Sequence, residues 1–113
     1  MRKIEQLMNE AITNGLNWKS GNTKVVTDAD NVSTVYLYDN MIAKIGENFV
    51  QLFDGGHQTN TTKSRLNAIC YTHAVTGEGV FQKEFNWFVR VWDNDHKQFT
   101  TDTFTSGYKL GEA

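Results

Sequence analysis

Proline is absent from these 113 residues, and cysteine occurs once, at Cys70. The lack of proline argues against a Pro-rich linker or tail. A lone cysteine forms no internal disulfide, so the core must hold without a covalent staple. No apolar segment follows Met1-Arg2-Lys3, and the apolar runs fall far short of the roughly 20 residues a membrane span needs. A reducing cytosol and no membrane partner are therefore expected. Also missing are internal repeats, low-complexity stretches and any concentrated basic block. Duplex DNA binders depend on such a block, because phosphate contacts dominate their affinity.

What is present suffices for one core. Apolar residues make up 39% of the chain and aromatic ones 12%. A chain of this length has room for a single α+β domain over residues 1–113. The formal charge of −2 is unevenly spread. Residues 25–54 carry Asp28, Asp30, Asp39, Glu47 and Asp54 against Lys44, whereas residues 1–24 and 55–75 each lean basic. That balance excludes a mimic of DNA charge as well as a duplex binder.

The central stretch is His57–Ala74, following Asp54-Gly55-Gly56. Leu66, Ile69, Cys70 and His73 recur at helical spacing, which predicts a helix over 61–74 with those four on one face. Thr61 or Thr62 is its expected N-cap and Gly77 its latest end. Lys63, Ser64, Arg65 and Asn67 fall off the apolar face and form a polar, basic shoulder. A first helix is predicted over 2–13 from Ile4, Leu7, Met8, Ala11 and Ile12, ending at Asn14-Gly15.

Between the helices lies a predicted antiparallel β-meander of about four strands: Thr23–Thr27, Val32–Tyr38, Met41–Ile45 and Phe49–Phe53. Leu16–Lys19 reads as a short extended connection. The joining segments, such as Asp39-Asn40 and Gly46-Glu47-Asn48, are too short for crossovers, so the pairing is antiparallel. After Gly77-Glu78-Gly79, Val80–Trp92 reads as one bent strand or a turn plus a strand. Asp93–His96 turns the chain, and Lys97–Phe104 returns as an aromatic hairpin extending or facing the same sheet. The tail docks through Tyr108 and Leu110.

This sequence resembles small accessory proteins of tailed bacteriophages. The resemblance rests on Asn22-Thr23-Lys24, on Val35–Ala43 (VYLYDNMIA) and on Thr61–Ala68 (TTKSRLNA). Val80-Phe81-Gln82-Lys83 with Trp87-Phe88 adds to it, so that about two thirds of the chain is covered. His57 departs from the pattern, standing where a bulky aromatic often precedes the Thr-rich helix start. The resemblance implies a phage origin, and supplies neither an enzymatic assignment nor catalytic residues.

Cys70 and His73 lie on one helix face, a spacing that permits a thiol–imidazole dyad. A mid-helix thiol among Leu66, Ile69 and Tyr71 lacks what stabilises a thiolate, so a core cysteine is expected and no catalytic residue is assigned. His57, His73 and His96 are isolated, and Asp93-Asn94-Asp95 lacks the glycine and glutamate of a calcium loop: Gln98 and Phe104 stand there. No metal and no cofactor are expected. The first turn at Thr61, Thr62, Lys63, Ser64 and Arg65 is a candidate anion or nucleic-acid site, its competing reading being a capped, solvated helix start.

Phe85, Trp87, Phe88, Trp92, Phe99 and Phe104 crowd one hairpin. Some of them must face outward unless both faces of the hairpin are covered. Phe85, Trp87, Arg90 and Trp92 are the candidate protein-binding residues, since Trp, Tyr and Arg dominate interfaces.

Three functions are compatible with these features. One is a non-enzymatic phage accessory protein that binds a bacterial protein in the infected cell's cytoplasm, for example inhibiting a host defence or transcription system. Another is a single-stranded nucleic-acid binder using Lys63, Arg65 and the hairpin aromatics. The third is a small enzyme using Cys70 and His73. An exposed sheet edge also makes a homodimer possible.

Overall fold

The computed structural model describes residues 1–111. Helix α1 spans Lys3–Asn14 and buries Met8, Ala11 and Ile12, the predicted stripe. It ends where Gly15 takes φ 65°, a left-handed backbone that glycine tolerates without a Cβ penalty. There Gly15 N donates to Ile12 O and Leu16 N to Ala11 O, the paired bonds of a Schellman close.

Strands β1 (Trp18–Ser20), β2 (Thr23–Thr27), β3 (Ser33–Leu37), β4 (Asn40–Ile45) and β5 (Phe49–Leu52) follow as an antiparallel meander. The meander is one strand longer than expected, because Trp18–Ser20 pairs with Thr23–Val25 rather than serving as a connection. Its β3–β4 turn centres on Tyr38 and Asp39, both left-handed at φ 50° and 65°, one position earlier than the sequence suggested. A bulge in β4 leaves Ile42 between the Tyr36–Met41 and Val35–Ala43 pairs. Strict alternation breaks there, and Ile42 and Ala43 are both buried.

Helix α2 spans Asn60–His73. Its cap is Thr59, whose Oγ1 accepts from Thr62 N at 3.1 Å, and not Thr61 or Thr62. Thr62 is unavailable as a cap because it is itself buried in the first turn. Leu66, Ile69 and Cys70 are fully buried, as their spacing predicted. The helix touches β4 and β5 on one side, β6 (Gly79–Lys83) on another, and α1.

The C-terminal segment does not extend the meander. Strands β6, β7 (Asn86–Asp93) and β8 (Gln98–Thr103) form a separate three-stranded antiparallel sheet. Residues 80–92 are thus two strands joined by a turn at Glu84-Phe85. The tail does dock: β9 (Tyr108–Gly111) pairs with β5, matching Val50 with Leu110 and Leu52 with Tyr108, and completes a six-stranded sheet. Both sheets feed one core, with Val80, Trp87, Val89 and Phe104 from the C-terminal part joining Val25, Val35, Leu52 and Leu66.

Candidate functional site

Alternation along β7 decides the fate of the hairpin aromatics. Trp87, Val89 and Val91 face the core, with Trp87 only 4% exposed and its ring edge-on to Phe104 at 5.5 Å. Trp87 was a candidate contact residue; the structure makes it a core residue instead, because β7 turns that side toward the interior. Phe88, Arg90 and Trp92 occupy the opposite face. There Phe88 stacks on its cross-strand neighbour Phe81 at 5.6 Å, and Trp92 meets Phe99 at 5.0 Å. The Arg90 guanidinium lies over the Phe99 ring at 4.2 Å, a cation–π contact.

The β6–β7 turn carries the most exposed large apolar side chain described. Phe85 is 92% exposed and sits at φ 69°, next to Glu84 at φ 51°. Two-residue hairpin loops of this kind favour Asn-Gly, because left-handed backbone is costly for residues with a Cβ. A phenylalanine there is strained and gains no burial in return.

The candidate anion site does not assemble. Arg65 is only 3% exposed, and it points inward although its spacing placed it off the apolar face. Two neighbouring elements flank α2 at this point and draw the guanidinium in. Its Nη1 donates to Glu5 Oε2 at 2.8 Å, its Nε to Thr23 Oγ1 at 3.0 Å and its Nη2 to Asn22 Oδ1 at 3.3 Å. Ser64 Oγ donates to the same Glu5 oxygen at 2.7 Å, and Lys63 reaches Gln82 Oε1 at 3.2 Å. Thr62 is buried, and Thr61 is left half-buried at the turn. Burial alone would raise the Glu5 pKa, but the Ser64 and Arg65 hydrogen bonds outweigh it and hold the carboxyl below its ordinary value. The cluster therefore ties α1, α2 and β2 together, where sequence periodicity had suggested a solvated basic shoulder. Glu5, at the first turn of α1, was the missing counter-charge, and nothing local in the sequence links it to Arg65.

Cys70 is fully buried, and its burial pushes the thiol up to about 12, far from a nucleophilic thiolate. Burial also lowers the His73 pKa and so keeps the imidazole neutral. No hydrogen bond joins the two among the described residues. Asp93 serves its own turn: Oδ1 accepts from Asp95 N and His96 N, and Oδ2 meets His96 Nδ1 at 2.8 Å. No helix among the described residues is long and apolar enough to cross a membrane.

A groove of about 690 Å³ runs between α2 and the outer face of the small sheet, lined among others by Tyr71, Glu78, Phe81, Arg90, Phe99 and Thr101. Gly77 closes one end; a Cβ there would approach the Phe99 ring to 2.6 Å. Asn67 fixes the helix to the sheet by bonding both ways with Val80. Its Oδ1 accepts from Val80 N at 2.7 Å and its Nδ2 donates to Val80 O at 2.9 Å, as a neighbouring strand would. Sequence reasoning missed Tyr71, Phe81 and Thr101, which approach Arg90 only through the pairing of β6, β7 and β8 and the placement of α2.

These features define a small α+β protein with two antiparallel sheets, a bridging helix and an aromatic face open to solvent. The family model described as Kyanoviridae Gp96 protein matches residues 1–111, and the chain belongs to that phage protein family. Comparison with curated proteins gives no match, and comparison with solved structures gives none either.

Proposed function

We propose that this phage protein is a non-enzymatic accessory factor that binds a bacterial host protein in the infected cell and modulates or inhibits it, as an agent of host takeover or anti-defence. The observation that carries this reading is Phe85, 92% exposed and held in a left-handed turn that would be more stable with glycine. Strain retained at an exposed aromatic points to a role outside folding. Beside the tip, Phe81, Phe88, Arg90 and Trp92 continue an aromatic and cationic surface of the kind that anchors protein interfaces.

Single-stranded nucleic-acid binding has less support. Arg65 is engaged by Glu5, and the remaining cations near the hairpin are interspersed with Glu84, Asp93, Asp95 and Asp102. The decisive experiment is capture of interacting proteins from nuclease-treated lysate of the host bacterium, with wild-type and Phe85→Ala protein compared quantitatively. A single stoichiometric partner whose recovery falls about tenfold or more with the variant is expected, as for an interface hot spot. Equal recovery by both proteins would rule out the tip as the contact. Recovery of nucleic acid alone, from untreated lysate, would transfer the function to strand binding.

A further inference from the structure

We propose that the groove between α2 and the small sheet is a recognition site for an acidic side chain carried on an extended, otherwise uncharged and apolar segment of the partner polypeptide. The proposal deepens the protein-binding reading and rests on it. Its starting point is Arg90, an exposed cation with no carboxylate within ion-pair distance among the described residues. Glu78 lines the same groove, but its carboxylate is turned to backbone donors: Oε1 accepts from Val75 N at 3.0 Å and Oε2 from Trp92 N at 2.9 Å. Glu78 makes no ion pair with Arg90, whose guanidinium rests over the Phe99 ring at 4.2 Å. A planar guanidinium held this way retains N–H donors suited to a carboxylate's two oxygens.

The walls specify the rest of the ligand. Thr101 lies directly across from Arg90 in the β7–β8 register and offers a hydroxyl to the same carboxylate. Tyr71, 76% exposed, and Phe81, 37% exposed, supply aromatic surface for apolar residues flanking the acid. The groove volume of about 690 Å³ suits a few side chains of a peptide. Charge selects a peptide over a nucleic acid. Arg90 is the only cation lining the groove among the described residues, and Glu78 stands beside it. A single cation can match one carboxylate and is too few for a chain of phosphates.

The test uses the 113-residue protein labelled with nitrogen-15 and two acetylated, amidated tripeptides, Phe-Glu-Leu and its neutral counterpart Phe-Gln-Leu. The glutamate peptide is expected to shift the amides of Gly79 and Thr101 and the Arg90 Nε resonance. The glutamine peptide should bind about tenfold more weakly, the effect of losing a charge-assisted hydrogen-bond pair. Arg90→Gln should remove the preference while leaving amides far from the groove unchanged, which shows that the fold is intact. Equal response to both peptides, shifts that survive Arg90→Gln, or a stronger response to a thymidine hexanucleotide would each overturn the proposal. Phe85→Ala separates the two readings, because it should leave the tripeptide response intact. Lysate capture indifferent to Phe85, with the glutamate preference retained, refutes the tip alone. Capture dependent on Phe85, with no glutamate preference, refutes the groove alone.

Discussion

The two sheets use the same strand chemistry and finish it differently. Each buries one face: Thr23, Val25, Ser33, Val35 and Leu37 in the six-stranded sheet, Val80, Trp87 and Val89 in the three-stranded one. The opposite face of the large sheet is built from Lys24, Thr34, Tyr36, Lys44 and Gln51, which pair across strands as an ordinary solvated surface. The opposite face of the small sheet presents Phe81, Phe88, Trp92 and Phe99 around Arg90. The second face is only partly covered, by α2 and the Gly77 loop at one side of the groove. An aromatic face left open marks an interaction surface more often than a folding requirement.

The turns repeat the contrast. Tyr38-Asp39 and Glu84-Phe85 adopt the same left-handed two-residue geometry. In the first, Asp39 reaches Lys24 at 3.8 Å and ties the turn to its own sheet. In the second, Phe85 projects from the tip.

The largest difference in response is expected between the start of β7 and the turn that precedes it. Trp87→Ala should lower unfolding stability by about 4 kcal/mol, because it empties a packed site against Phe104. Phe85→Ala, two residues away, should change it by about 0.5 kcal/mol at most. Chemical denaturation of both variants checks this, and similar losses would mean that the tip is packed after all.

A somewhat smaller effect should isolate the large sheet. Glu5→Gln leaves the Arg65 guanidinium buried without its counter-charge, and should cost roughly 3 kcal/mol at neutral pH. Amide exchange should quicken first in α1 and β2, ahead of β7 and β8. Because the folded Glu5 pKa lies below its ordinary value, its stabilisation is complete above the unfolded carboxyl pKa and fades as pH falls through the folded one. The gap between wild type and Glu5→Gln should therefore narrow on acidification. A gap that stays constant would show that the Glu5 charge contributes nothing.

A smaller effect carries a favourable sign. Phe85→Gly should raise stability by about 1 kcal/mol through relief of the left-handed strain, while removing the side chain proposed to contact the partner. Thermal unfolding measures the gain, and a loss of stability would show that the exposed ring contributes to folding.

Much of the fold was legible in the sequence because it rests on local periodicity. The Ile4–Ile12 stripe, the Leu66, Ile69 and Cys70 face and the Asp- and Gly-rich turns each act within a few residues of themselves. Docking of Tyr108 and Leu110 was legible as well, though their partner strand β5 was not. The readings that failed depend on distant groups. Arg65 looked solvated because Glu5 lies in another helix, and Thr59 took the cap because Thr62 was drawn into the core. The aromatic segment promised exposure without saying which rings would have it, since alternation assigns sides but not which side is inward.

Two helices, a chain of short antiparallel strands and an excess of aromatic residues near the C-terminus are all written in local pattern. Hydrophobic period and turn chemistry are local, and they act before the elements meet. It takes the assembled fold to give the last strands their own sheet, to make Trp87 core while Trp92 lies on the outer face, and to pair Arg65 while Arg90 makes no ion pair among the described residues. Burial and ion pairing are properties of surfaces brought together from distant parts of the chain, and no spacing within one element encodes them.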